Sequence, residues 1–137
     1  MIFYHVSPIP GLKTIRPTKE VGGFANFEES IFFKNPKKYA CLSTSKEQAL
    51  YWAKVLSYCR RQDTWFLYRV YVPKKTKVID LPGRYLFEGY DPAKSEKPAG
   101  DVVPHTGEYN IDGEIAIFVS VQTLDCTKIE IETEKIA

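Results

Sequence analysis

One stretch of this chain carries a complete set of helix signals, and the rest must fold around it. Ser45 stands before Lys46-Glu47-Gln48, a hydroxyl residue followed three positions later by glutamine. In that capping-box arrangement the serine oxygen accepts from a backbone N–H that the first helical turn leaves without a partner. Ala49, Trp52, Ala53 and Leu56 then recur on one face at helical spacing, which predicts a helix over 46–61. Residues 39–43 read as a strand feeding straight into it.

The other segments read as strands and loops. Residues 2–6 form a short apolar strand that ends at Pro8. Residues 8–36 hold Pro8, Pro10, Gly11, Pro17, Gly22, Gly23 and Pro36 and read as mostly loop, with 12–15 turning inward. Phe24, Phe27, Ile31, Phe32 and Phe33 make one part of it too apolar for a free loop; it covers one end of a cleft as a short helix or a strand. Trp65 to Val72 alternates strong β-formers as a central strand does. Residues 77–81, 114–121 and 128–132 read as further strands, with a turn at 123–126. Residues 82–112 are rich in proline, glycine and charge and read as a long irregular loop of the lid kind, most mobile over 91–112. The order β-loop-β-α-β-β-loop-β-β predicts an α+β domain, one main helix packed on a mostly antiparallel sheet.

A length of 137 residues fits one domain, 1–137, with a core that needs no staples. The net charge of +2 is too small to argue for nucleic acid. The three cysteines, at 41, 59 and 126, are odd in number and lack CxxC spacing, and the N-terminus runs directly into a strand. A reducing, cytoplasmic setting with free thiols is the expectation. No apolar run approaches the ~20 residues that cross a bilayer, so no membrane partner is expected. The cysteines and histidines are too scattered for a zinc site, and no metal is expected. No GxGxxG or Walker A sequence occurs.

Chemistry-bearing residues gather at three places. His5-Val6-Ser7 closes the first strand and brings an imidazole and a hydroxyl to a loop mouth, in a chain with only two histidines. Leu42-Ser43-Thr44-Ser45 leads into the helix, and Gly113-Glu114 opens a late strand. Strand-His-x-Ser, then strand-Leu-Ser-Thr-Ser before a helix of form x-x-x-Ala-x-Tyr-x-Ala, then a late strand glutamate, resembles the ADP-ribosyltransferase fold. The nearest branch is the histidine/tyrosine/glutamate one that includes poly-ADP-ribose polymerases and small rifampin-modifying transferases. The likeness covers residues 2–56 by motif and 65–120 by order of elements.

The resemblance implies an ADP-ribosyltransferase-like fold and NAD as a substrate, held bent with its nicotinamide buried. By this likeness His5 bonds the adenosine ribose and the backbone of Val6, beside Ser7, holds the nicotinamide amide. Ser43 or Ser45 supplies a hydroxyl to the same amide. Glu114, the catalytic candidate, binds the nicotinamide ribose and favours the oxocarbenium-like state formed as nicotinamide leaves. ADP-ribose passes to an acceptor that is a protein, a nucleic acid or a small molecule. Two positions depart from the family's pattern. Val6 replaces a common glycine, and Cys41 stands where an aromatic ring is expected to stack on nicotinamide. Tyr39, two residues earlier on the same side of a strand, and Tyr51, on the helix, are the alternative rings. The other expectation is a catalytically inactive member of this fold that binds a nucleotide or a protein.

Each residue also has a plainer reading. His5 can be a strand-end histidine satisfied by a carbonyl, Ser45 a helix cap, and Glu114 a solvated strand-start carboxylate. Tyr39 and Tyr51 can be packing residues, and Cys41 an inert thiol. His105 falls in the long loop, and Glu108 is the second-choice carboxylate.

Overall fold

The computed structural model describes residues 1–18, 38–81, 96–104 and 113–131. Eight strands and one α-helix account for most of them: β1 (Ile2–Ser7), β2 (Thr14–Ile15), β3 (Ala40–Ser43), α1 (Lys46–Arg60), β4 (Thr64–Tyr71), β5 (Lys77–Leu81), β6 (Glu96–Pro98), β7 (Glu114–Ile117) and β8 (Val121–Glu130). The strands form one sheet in the order β2-β8-β4-β1-β3-β7-β5-β6, and every neighbouring pair is antiparallel. The chain is thus α+β, a mostly antiparallel sheet with a single helix among the described residues, as the element order predicts.

Side-chain alternation divides the sheet into two unlike faces. On β1, Phe3, His5 and Ser7 pair with Val70, Tyr68 and Phe66 of β4. That face carries the main core, in which Phe3, Leu42, Tyr68, Val70, Ile115 and Ile117 are almost wholly removed from water. Each such side chain is worth roughly 1.5–3 kcal/mol of apolar burial. The opposite face, with Tyr4 and Val6 of β1 and Trp65 and Leu67 of β4, lies under α1, which packs on β1, β3 and β4. Ala49 and Ala53 bring the helix close because they have no bulk to hold it off. Trp65 fixes its far end, its indole Nε1 donating to Ser57 Oγ at 2.5 Å and to the Gln62 carbonyl at 2.9 Å.

The helix starts as the sequence predicts. Ser45 caps it, its side chain accepting from the Gln48 N–H at 3.1 Å, and Arg61 ends it in the left-handed conformation (φ 53°). Its buried face is shifted from the expected one: Gln48, Ala49, Ala53 and Ser57 are buried, while Trp52 and Leu56 are partly exposed. The Gln48 Nε2 and Trp52 Nε1 donors are buried without hydrogen-bond partners among the described residues.

Three expectations are corrected. The strand expected over 114–121 ends at Ile117, and the turn expected at 123–126 is instead the middle of β8, which starts at Val121. The ladder register shifts between Arg69, opposite Asp125, and Val70, opposite Thr123; Leu124 is therefore the extra residue of a β-bulge. A polar, turn-like composition has been absorbed as a bulge because β4 offers a continuous partner. The long irregular loop is likewise broken: β6 pairs with β5, and a 3₁₀ turn follows at Ala99–Asp101. Ala99 and Val102 enter the core, and the Ala99 N–H donates to the Thr76 carbonyl at 2.7 Å. Pro98 fits here because it ends an outermost strand, where a missing N–H costs nothing. The rest of the expected lid, with the phenylalanine-rich stretch at 24–33, lies outside the described residues.

β8 is paired unevenly. It meets β4 through to Glu130, but on its other side meets β2 only at Val121 and Gln122. Leu124 to Lys128 are exposed. Asp125 takes both Nε (2.7 Å) and Nη2 (2.5 Å) of Arg69, an exposed pair of the kind that adds little stability. The guanidinium holds the Asp125 carboxyl below its usual range.

Tyr68 ties the core to the first loop. Its fully buried phenol donates to the Ile9 carbonyl at 2.5 Å and accepts from the Leu12 N–H at 3.2 Å. Burial pushes its pKa up; the Leu12 N–H opposes the rise, and the nearby Cys126 thiol adds to it. The folded state therefore holds this proton more tightly than the unfolded chain, whose tyrosines titrate near pH 10. The associated stability is complete below that pH and is lost as pH rises through the higher folded value. Tyr68→Phe should cost about 1–2 kcal/mol near neutrality for the two lost hydrogen bonds, measured by urea unfolding. It should also flatten the decline in stability above roughly pH 10.

Candidate functional site

The sheet is weakest where its two halves join. β1 pairs with β4 over all six of its residues, yet with β3 only at Tyr4 and Ser43. Past that point the two strands part, and a pocket of about 550 Å³ opens at the gap. His5 and Ser7 of β1, Ala40 and Cys41 of β3, and residues of the 9–18 segment line it.

His5 spans the gap. Its Nδ1 lies 3.2 Å from the Cys41 carbonyl. A carbonyl can only accept, so Nδ1 carries the hydrogen in this contact. Behind it stands Tyr68, ring centres 6.5 Å apart. Ser7 is buried, and its Oγ accepts from the Ile9 N–H at 3.2 Å, turning the chain away at the end of the strand. The plainer reading of His5, satisfaction by a carbonyl, holds together with its position in the pocket wall.

Ser43 and Glu114 meet on the other side of the sheet. They are register partners in β3 and β7, and Ser43 Oγ donates to Glu114 Oε1 at 2.5 Å. Ser43 is 4% exposed. Glu114 opens its strand directly after Gly113, whose φ of 100° suits only glycine without strain. The Gly113 carbonyl accepts from the Thr44 N–H at 2.7 Å and locks the two strand ends together. Tyr4 stands opposite Ser43, so Tyr4 and Val6 share the face of Ser43 and Glu114, and His5 points to the other. The sequence reading expects His5, Ser43 and Glu114 in one cleft. The structure makes β1, β3 and β7 neighbours, joins Ser43 to Glu114, and gives His5 to the pocket on the opposite face.

The remaining candidates are engaged elsewhere. Ser45 caps α1. Tyr39 is 3% exposed, with its carbonyl accepting from the Thr18 N–H. Tyr51 is partly buried on α1, edge-on to Trp52 with ring centres 5.8 Å apart. Cys41 is partly buried and joins no disulfide among the described residues. His105 and Glu108 lie outside the described residues. Among those described, no group of three or more His, Cys, Asp or Glu could hold a metal ion, and no helix is long and apolar enough to cross a membrane. Sequence reasoning passed over Lys13 and Arg16, which line the pocket beside His5. Nothing local marks them; they reach it because Tyr68 folds the 8–13 segment back.

Two neighbouring serines should behave differently. Ser45→Ala removes a cap and should cost about 1 kcal/mol. Ser43→Ala removes a hydrogen bond to a carboxylate and should cost roughly 1.5–3 kcal/mol. Denaturant unfolding of both variants measures the difference.

Comparison with protein-family models, with curated proteins and with solved structures found no match to this chain.

Proposed function

We propose that this chain is a small ADP-ribosyltransferase-like protein that takes NAD as substrate and passes ADP-ribose to an acceptor, with Glu114 as its catalytic carboxylate. The observation that carries this reading is the 2.5 Å hydrogen bond from Ser43 to Glu114, beside the point where β1 and β3 part. On this reading the Val6 backbone and the Ser43 hydroxyl receive the nicotinamide amide, and Glu114 receives the hydroxyl of its ribose. His5 keeps the adenosine-ribose role on the resemblance alone, because its register turns it to the face opposite Ser43 and Glu114, against the single cleft expected.

In the reaction the bond between the ribose carbon and the nicotinamide nitrogen breaks, and nicotinamide departs with the electron pair. The ribose carbon gains oxocarbenium character until a nucleophile of the acceptor bonds to it. A carboxylate already oriented by Ser43 stabilises that charge without reorganising at the moment of reaction. A second reading, a catalytically silent member of the same fold, is favoured by Cys41 at the position where the resemblance implies a stacking ring.

Calorimetric titration with NAD tests binding, and nicotinamide release separates enzyme from silent binder. Glu114→Gln should keep the fold and most NAD affinity while slowing nicotinamide release about 10²–10³-fold. His5→Ala should weaken NAD binding instead. Equal loss of affinity in both variants would refute this division of roles, and binding without release would leave the silent reading.

A further inference from the structure

The pocket beside His5 has a one-sided chemistry. Lys13 and Arg16 line it, together with Ser7, Thr14 and Thr18, and no aspartate or glutamate stands among its described lining residues. Neither cation forms an ion pair among the described residues. Two like charges at one concavity, with no counter-charge among the described residues, are relieved by a bound anion, and hydroxyl donors strengthen its hold. The volume, about 550 Å³, exceeds what an isolated phosphate needs. Ile9, Leu12 and Ile15 add apolar surface, with Ile9 exposed at 55%.

The wall that carries these groups is also held in place. Tyr68 pins Ile9 and Leu12, Thr123 Oγ1 donates to the Leu12 carbonyl at 2.7 Å, and the Thr123 N–H donates to the Lys13 carbonyl at 3.0 Å. Gly11, at φ 72°, makes the turn between them. A loop fixed in advance loses little freedom on binding.

We infer that this pocket is a diphosphate site, with Lys13 and Arg16 as the phosphate-binding pair and Ile9 and Leu12 as the apolar seat for an attached nucleoside. The inference rests on the reading above only in taking the His5 pocket as part of the ligand cleft. The diphosphate comes either from a free nucleoside diphosphate or from the middle of a dinucleotide.

The test is calorimetric titration of the intact chain with pyrophosphate, ADP, adenosine and NAD, at low and high salt. Pyrophosphate and ADP should bind, adenosine far more weakly, and both affinities should fall with salt. Lys13→Ala with Arg16→Ala should weaken ADP about 10- to 100-fold, the loss expected for charge-assisted hydrogen bonds. Lys13→Arg should retain most of the affinity. Both side chains are exposed, so circular dichroism should report an unchanged fold. Adenosine binding as tightly as ADP, no binding of pyrophosphate or ADP, or a folded double variant with unchanged affinity would each overturn the inference. ADP binding without nicotinamide release leaves the pocket standing and removes the transfer reading. Nicotinamide release with an unchanged KM in the double variant does the reverse. Tighter binding of ADP than of NAD identifies the free nucleoside diphosphate as the source, and the opposite order identifies the dinucleotide.

Discussion

β1 and β3 touch as paired strands at one point, Tyr4 against Ser43, and the candidate site exists because they do not stay together. A continuous ladder would bury the backbone of Val6 and Cys41 in strand-to-strand hydrogen bonds. Parting after one pair leaves edges turned toward a space, and His5 reaches across it to the Cys41 carbonyl. The gap survives because other contacts carry the join. The helix packs on β1, β3 and β4 from one side, and Phe3, Leu42, Tyr68 and Ile115 form a common core on the other. The two half-sheets are therefore held by packing rather than by their own ladder.

This arrangement separates two kinds of chemistry by the thickness of a sheet. On one face a buried hydroxyl and a carboxylate are bonded to each other; on the other an imidazole and two cations line a pocket.

Much of the fold was legible because its signals are local. Ser45 and Gln48 announce the start of α1, and the alternation at 65–72 announces β4, since cap and pleat are decided by residues a few positions apart. Ser43 and Glu114, 71 residues apart, could be suspected only through a resemblance. Their register partnership depends on β7 entering beside β3, which no window of sequence records. The face of His5 was missed for a similar reason: one residue of register decides it. Leu124 misled because a bulge residue and a turn residue have the same polar surroundings. Residues 96–102 misled because proline and glycine mark an edge strand and a loop alike.

Long exposed strands tend to recruit others. From Leu124 to Glu130, β8 has a partner on one side only among the described residues, and both its faces are largely bare. Left flat and apolar, such a strand would template pairing with another copy. Here the bulge at Leu124 breaks its regularity, and Asp125, Lys128 and Glu130 set charges along it. The Arg69–Asp125 and Lys128–Glu130 pairs, which contribute little to the folded state, thus serve another purpose. They keep water on an edge that would otherwise be open to self-association, so colloidal behaviour, more than melting temperature, is what this surface governs.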